Sequence, residues 1–208
     1  MAGFGSGLIA IPLLALMMPL TTVVPLVVFL DYIASASHGI KHRDAIQWKE
    51  LLPLLPFAVI GVLAALYLFN SIDKEILRIG LGGFVLTFAI YSLFSFSPKV
   101  KASTIWTIPA GGMGGLIGTL FGTGGPFYVL YLKFRGLEKT QFRATFATIF
   151  LLDGAGRISG YAISGLFDLD LVKMIAVVIP LMMIGMLLVG RYTPLCHNRR
   201  FNVPLVYY

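Results

Sequence analysis

Long apolar runs divided by short polar stretches make up almost the whole chain. Runs that reach the roughly 20 residues needed to cross the hydrocarbon of a bilayer lie at 21–40, 51–69, 76–97, 144–164 and 172–191. Two segments depart from this pattern. Residues 1–20 open on Phe4-Gly5-Ser6-Gly7, and residues 104–121, apolar but rich in glycine, lead into the stretch 118–126, GTLFGTGGP. Only 126–134 remains apolar after that break. As a helix it rises about half a bilayer.

The two breaks are related. Phe4-Gly5-Ser6-Gly7 aligns with Phe121-Gly122-Thr123-Gly124, Asp31 with Asp153, and the pair Pro56 and Gly61 with Pro180 and Gly185. An internal duplication accounts for these correspondences, with residues 1–101 as the first repeat and 102–208 as the second. The first repeat has no counterpart of 104–121 before its break, and the second has none of 76–97 after 172–191. The expectation is therefore a fragment that lacks one helical piece at each end.

Composition agrees with the pattern. Of 208 residues 58% are hydrophobic and 12% charged, outside the balance of soluble domains. The fold class predicted is an all-α polytopic membrane protein of two related, inverted repeats, each with a glycine-broken helix, re-entrant or discontinuous, plus transmembrane helices. The net charge of +7 sits beside membrane segments, where it describes topology rather than nucleic-acid binding. A single cysteine, Cys196, excludes an intrachain disulfide and supports no metal or redox pair. With no basic region before the first apolar stretch, that stretch does not read as a cleavable signal peptide.

Loop charges give the orientation. In the first repeat the loops run uncharged at 18–21, basic from Lys41 through Lys49, and balanced at 70–78. In the second they run basic (Lys133, Arg135, Lys139, Arg143), acidic (Asp168, Asp170) and basic (Arg191, Arg199, Arg200). Basic loops mark the cytoplasmic face, so the bias is reversed loop for loop, as in an inverted-topology pair. Segment 104–134 is then a re-entrant hairpin whose tip, 122–125, lies near the midplane.

Glycines inside an apolar run bare backbone groups, tolerated in lipid only where protein or a water-filled cavity covers them. Paired breaks in two repeats point to a transport site, although small residues also serve simply to let helices approach. If Pro126 opens a short helix, its free N–H groups and positive dipole end face the break and attract anions. Gly5, Gly7, Gly122, Gly124 and Gly125 allow an oxyanion close to the backbone, and Ser6 or Thr123 adds a hydroxyl. Asp31, Asp153 and Arg157 are costly at membrane depth and are expected to face the interior. Asp153 and Arg157, four apart, can pair on one helix. That pair is either purely structural or makes Arg157 an anion ligand, with Asp31 or Asp153 as a proton-coupling carboxylate. His38 reads as interfacial, and Trp48, Trp106 and the tyrosines as interfacial anchors.

The run Phe4-Gly5-Ser6-Gly7-Leu8-Ile9-Ala10-Ile11-Pro12, the second copy Gly122 to Pro126, the loop from Gly39-Ile40 to Trp48 and the Pro56/Gly61 pair resemble the TauE/SafE family of sulfite and organosulfonate exporters, TSUP-type permeases. The family's run of three glycines is interrupted here by Ser6 and Thr123. The resemblance covers essentially the whole chain and implies a multi-pass cytoplasmic-membrane permease that exports small sulfur-containing anions such as sulfite or sulfoacetate, with proton coupling. Its partners are then a small anion and the bilayer, with no nucleic acid, cofactor or metal; oligomeric state stays open. An anion channel is the nearest alternative. An intramembrane protease built on Ser6 is a weaker one, since Phe4 stands where a GxSG motif needs glycine.

Reporter tags placed singly in the 99–103 loop and at 135–140 are expected on the same, cytoplasmic, face. Tags on opposite faces would make 104–134 a single crossing and remove the inverted arrangement.

Overall fold

Backbone polar groups cannot be left bare in hydrocarbon, so a chain this apolar closes its hydrogen bonds within helices. The computed structural model describes residues 4–39, 44–93 and 103–196, and its regular elements there are all helical. They are α1 (Phe4–Leu14), α2 (Leu20–Gly39), α3 (Trp48–Leu51), α4 (Leu54–Ser71), α5 (Lys74–Leu93), α6 (Thr107–Phe121), α7 (Gly125–Phe134), α8 (Lys139–Ile163) and α9 (Leu169–Cys196). Within the described residues each predicted span is occupied by helix. By length and composition together, one helix among the described residues can cross a membrane, Trp48–Ser71, with a mean hydropathy of 2.4; Leu20–Ile33 is a shorter apolar helix. Charge explains the difference for α8, which carries Lys139, Arg143, Asp153 and Arg157.

Outward faces are apolar as well. Val59, Ile60, Leu63 and Tyr67 on α4, Ile79 and Leu86 on α5, and Val177 and Leu181 on α9 are all exposed. Faces this apolar are normally covered by lipid or protein. Inside, one core joins α1, α2, α4, α5 and α6, and a second joins α3, α4, α7 and α8.

The closest helix pair is α4 with α6, and small residues set its distance. A Cβ on Gly61 would lie 2.8 Å from the Leu116 nitrogen, and one on Gly111 would lie 2.6 Å from the Leu54 carbonyl oxygen. Gly115 is packed onto the Ala58 carbonyl in the same way. Backbone meets backbone along this seam, the packing that small residues permit where no hydrophobic force separates helix from lipid.

After α6 the chain reverses. Gly122 adopts φ +64°, a left-handed conformation open to glycine at little cost, and α7 runs back along α6. Trp106, just before α6, stacks on Phe134 at the end of α7, with ring centroids 6.4 Å apart. The pair is a hairpin with both outer ends on one side and the glycines at its tip. At 10 residues, α7 spans about 15 Å.

Three expectations are corrected. Phe4 to Gly7 is the first turn of α1, not a loop; glycines there keep helical geometry, and the turn's N–H groups have no partner within the helix itself. Pro126 is the second residue of α7, which begins at Gly125. Tyr128 and Tyr161 are fully buried and are not interfacial anchors, whereas Trp48 and Trp106 are exposed. Lys41, His42, Arg43, Lys99, Lys101, Arg199 and Arg200 lie outside the described residues, as does the side chain of His38.

Gly115→Leu is expected to force α4 and α6 apart and cost at least the roughly 1–3 kcal/mol of an overpacked core. Gly83→Leu, on an open face where a Cβ meets nothing within 4 Å, should leave the unfolding temperature in detergent nearly unchanged. Equal shifts for both variants would show that the seam does not set the helix spacing.

Candidate functional site

Helical geometry brings residues four apart onto one face, and on α8 this places Arg157 beside Asp153. The two form an ion pair, with 2% and 4% of their surfaces exposed. Burying this pair depends on α6. Arg157 Nη2 donates to the Gly114 carbonyl at 3.2 Å, and the guanidinium occupies the space that side chains at Gly118 and Gly124 would fill. One turn further along α8, Tyr161 donates its hydroxyl to the Thr119 carbonyl at 2.6 Å. Thus α8 is tied to α6 by two side chains that reach helix carbonyls.

From the other side comes α7. The Tyr128 ring packs on Gly114, where a Cβ would lie 2.6 Å from Cζ and 2.9 Å from the hydroxyl oxygen. This sets the hydroxyl among the charges of Asp153 and Arg157. Thr123, in the break itself, is 1% exposed. A buried polar atom without a partner costs about 1–3 kcal/mol, and native proteins hold few of them. Here, among the described residues, Thr123 Oγ1 and Arg157 Nε lack one, while the Tyr128 hydroxyl stands within hydrogen-bonding reach of Asp153 and Arg157. Thr123 belongs to the glycine break, and Arg157 on the α8 face behind it packs against Gly124 of the same break.

The start of α1 arrives at the same place. A Cβ on Gly7 would be 3.2 Å from the Gly122 carbonyl oxygen and 3.4 Å from Asp31 Oδ2. Ile11 of α1 packs against Gly122, and Tyr32, next to Asp31 on α2, packs on Gly154 of α8. So Gly7, Asp31, Gly122, Thr123, Gly124, Asp153 and Arg157 are brought together by the fold. Gly125 and Pro126 open α7 at the edge of this cluster, and Gly5 and Ser6 lie in the first turn of α1. A cavity of about 180 Å³ between α4 and α8, lined by Ala58, Val62, Asp153, Gly156, Ser159 and Gly160 among others, reaches Asp153. Apart from Asp153 and Ser159 its side chains are apolar, Leu55, Val59, Leu63, Leu66, Leu152 and Ile163 among them, and none of Thr123, Tyr128 or Arg157 lines it. Among the described residues no three His, Cys, Asp or Glu side chains gather as metal ligands would.

Sequence reasoning missed Tyr128 and Tyr161. Both are lone hydroxyls in apolar helix, and a phenol buried in such surroundings normally finds a polar partner; position relative to the break and to Arg157 was the available signal. It also treated Arg135 only as a topology charge. In the structure Arg135 grips Glu50 with Nε and Nη2, each at 2.6 Å, and Tyr131 donates to the same carboxylate at 2.7 Å. The hydrogen bond to Glu50 pushes the Arg135 guanidinium above its ordinary range and keeps it charged. The Gln47 N–H donates to Thr145 Oγ1 at 2.9 Å, so the segment before α4 is fastened to both α7 and α8.

Residues 1–206 match the family model described as sulfite exporter TauE/SafE. A probable inner membrane transporter protein TsaS of Comamonas testosteroni is 29% identical over 143 residues, 64% of this chain and 60% of that protein. A probable sulfite/organosulfonate exporter TauE of Cupriavidus necator is 25% identical over 202 residues, 92% of this chain and 77% of its own length. No solved structure matches.

Removing one member of a buried ion pair leaves an uncompensated charge, at a cost of about 3–5 kcal/mol. Arg157→Met alone is expected to lose that much, and Arg157→Met with Asp153→Leu to recover most of it. Additive losses in this double-mutant cycle, followed by unfolding in detergent, would show that the two groups are not coupled.

Proposed function

The chain belongs to the sulfite exporter TauE/SafE family, and we propose that it is a multi-pass permease that exports small sulfur-containing anions, sulfite or organosulfonates such as sulfoacetate, across the cytoplasmic membrane. The observation that carries this reading is a buried polar group at the glycine break, in which Thr123 Oγ1 and Arg157 Nε lack a partner and Tyr128 stands beside Asp153 and Arg157. Both unpartnered atoms, the Thr123 hydroxyl and the Arg157 Nε–H, are donors, and an oxyanion is the ligand that donors at a helix start receive well. Helix α7 adds its N-terminal dipole end and α1 contributes a second at Gly7. In this reading Gly5, Ser6, Gly7, Gly122, Thr123, Gly124, Gly125 and Pro126 form the two sides of the substrate site. Arg157 is the cationic ligand, and Asp31 and Asp153 are the coupling carboxylates.

Topology supports the same reading. The α6–α7 hairpin has the geometry of a re-entrant segment, and the reversed loop charges of the two halves suit an inverted pair of repeats. Alternating access then consists of movement of one half against the other around the break. The names of the relatives, an exporter of sulfite and organosulfonates and an inner membrane transporter, supply the substrate class and the membrane.

Thermal unfolding of the purified protein in detergent against sulfite, sulfoacetate, taurine, thiosulfate, sulfate and chloride tests this. A ligand at a hundred times its dissociation constant stabilises by about 2.7 kcal/mol, and a sulfur oxyanion is expected to do so while chloride does not. Thr123→Ala should weaken that ligand by about 1 kcal/mol, and Arg157→Lys should remove the response. A cooperatively unfolding protein indifferent to all six anions would overturn the reading.

A further inference from the structure

Four basic side chains lie where α7 passes into α8, and internal partners account for one of them. Arg135 is paired with Glu50. The carboxylate next to Lys139 in sequence, Glu138, is engaged with Gln141 in the cap of α8. Lys133, Lys139 and Arg143 are exposed, and among the described residues none of the three forms an ion pair. Gly136, at φ +69°, turns the chain between the two helices, and all three cations line one cleft of about 350 Å³ there.

The rest of that cleft is apolar. Val129, one turn before Lys133 on α7, lines it together with Leu137, Phe142 and Phe146, and among the described residues no carboxylate does. The Phe142 and Phe146 rings are stacked with centroids 6.1 Å apart, and Phe150 continues the row at 5.8 Å. This row follows α8 from its charged end for about 12 Å. A small inorganic anion would answer the cations and leave these rings against water. A molecule with a phosphate at one end and a hydrocarbon chain at the other answers both. The level of the cleft suits such a molecule. Trp106 stacks on Phe134, the neighbour of Lys133, and Trp48 follows Gln47, whose N–H donates to Thr145 of α8. Both indoles are exposed, and tryptophans favour the depth of lipid headgroups.

We propose that this cleft is a binding site for an anionic phospholipid, its phosphate held by Lys133, Lys139 and Arg143 and an acyl chain laid on Val129, Phe142 and Phe146. Basic pockets between helices receive such headgroups on the cytoplasmic side of membranes. Loop charge that only orients a chain in the bilayer requires neither a cleft nor an apolar floor. The bound lipid bridges the end of α7 to the start of α8, and so braces the short helix whose other end opens at Gly125. This rests on the membrane setting of the family and not on which anion crosses.

Thermal unfolding of the delipidated full chain in uncharged detergent, titrated with phosphatidylglycerol, phosphatidylcholine, glycerol phosphate or inorganic phosphate, tests the proposal. Phosphatidylglycerol is expected to raise the unfolding temperature saturably, whereas phosphatidylcholine and the two chain-free phosphates leave it unchanged. Lys133→Gln, Lys139→Gln and Arg143→Gln should each raise the half-saturating lipid concentration about fivefold, and together about a hundredfold. A charge-matched triple variant, Lys74→Gln with Arg78→Gln and Lys173→Gln, removes exposed cations on α5 and α9 and should not move it. Equal losses in the two triple variants would reduce the effect to net charge and overturn the site. Equal stabilisation by either chain-free phosphate would make the cleft an anion site and overturn the lipid. A rise with phosphatidylglycerol no larger than with phosphatidylcholine would also overturn it. The three single variants carry the same comparison should the triple variant fail to fold.

Discussion

A guanidinium among packed helices has to be met on every side, and the second half of this fold is arranged around that requirement. Arg157 needs an anion, supplied one turn back by Asp153, and an acceptor, supplied by a helix carbonyl at Gly114. It also needs volume. Side chains at Gly118 and Gly124 would occupy the space the guanidinium fills, so the bare stretch of α6 and the glycines after it are the counterpart of one arginine. The cost of a buried charge is thus met by a helix that gives up its own side chains.

Helix α6 does this on two faces at once. Gly111 and Gly115, one turn apart, bring its backbone against α4, while Gly114 and Gly118, also one turn apart, open its other face to Tyr128 and Arg157. Two interleaved small-xxx-small stripes make α6 the plate between the apolar seam and the polar site. Such a helix has little stiffness of its own, and its neighbours hold it through Tyr161 on the Thr119 carbonyl and the stacked Trp106 and Phe134.

The far end of the short helix matters too. Tyr128 faces the site and Tyr131, three residues on, faces Glu50; with Arg135 the latter fixes α7 to the segment that leads into α4. Interactions that charge-assist a hydrogen bond are among the stronger ones available. They hold the α7 start, with its free N–H groups, against the break, where α1 arrives at Gly7.

Much of this was legible in the sequence. Apolar runs of bilayer length determine helices, because lipid offers backbone groups no other partner, and the observed helices sit on the predicted runs. The glycine break before Pro126 determines a reversal, since Gly122 is suited to the left-handed turn that ends α6. The spacing of Asp153 and Arg157 determines their pairing, as four residues is one helical turn. Tertiary structure decided the rest. Which glycines separate helices and which make room for a side chain depends on the face each turns to a neighbour, and α6 carries both kinds within one turn. Tyr128 read as one more aromatic in an apolar segment until the hairpin laid it across Gly114. Gly7 met Gly122, and Asp31 met Gly7, only through the packing of distant helices, for which a linear pattern of apolar residues holds no signal.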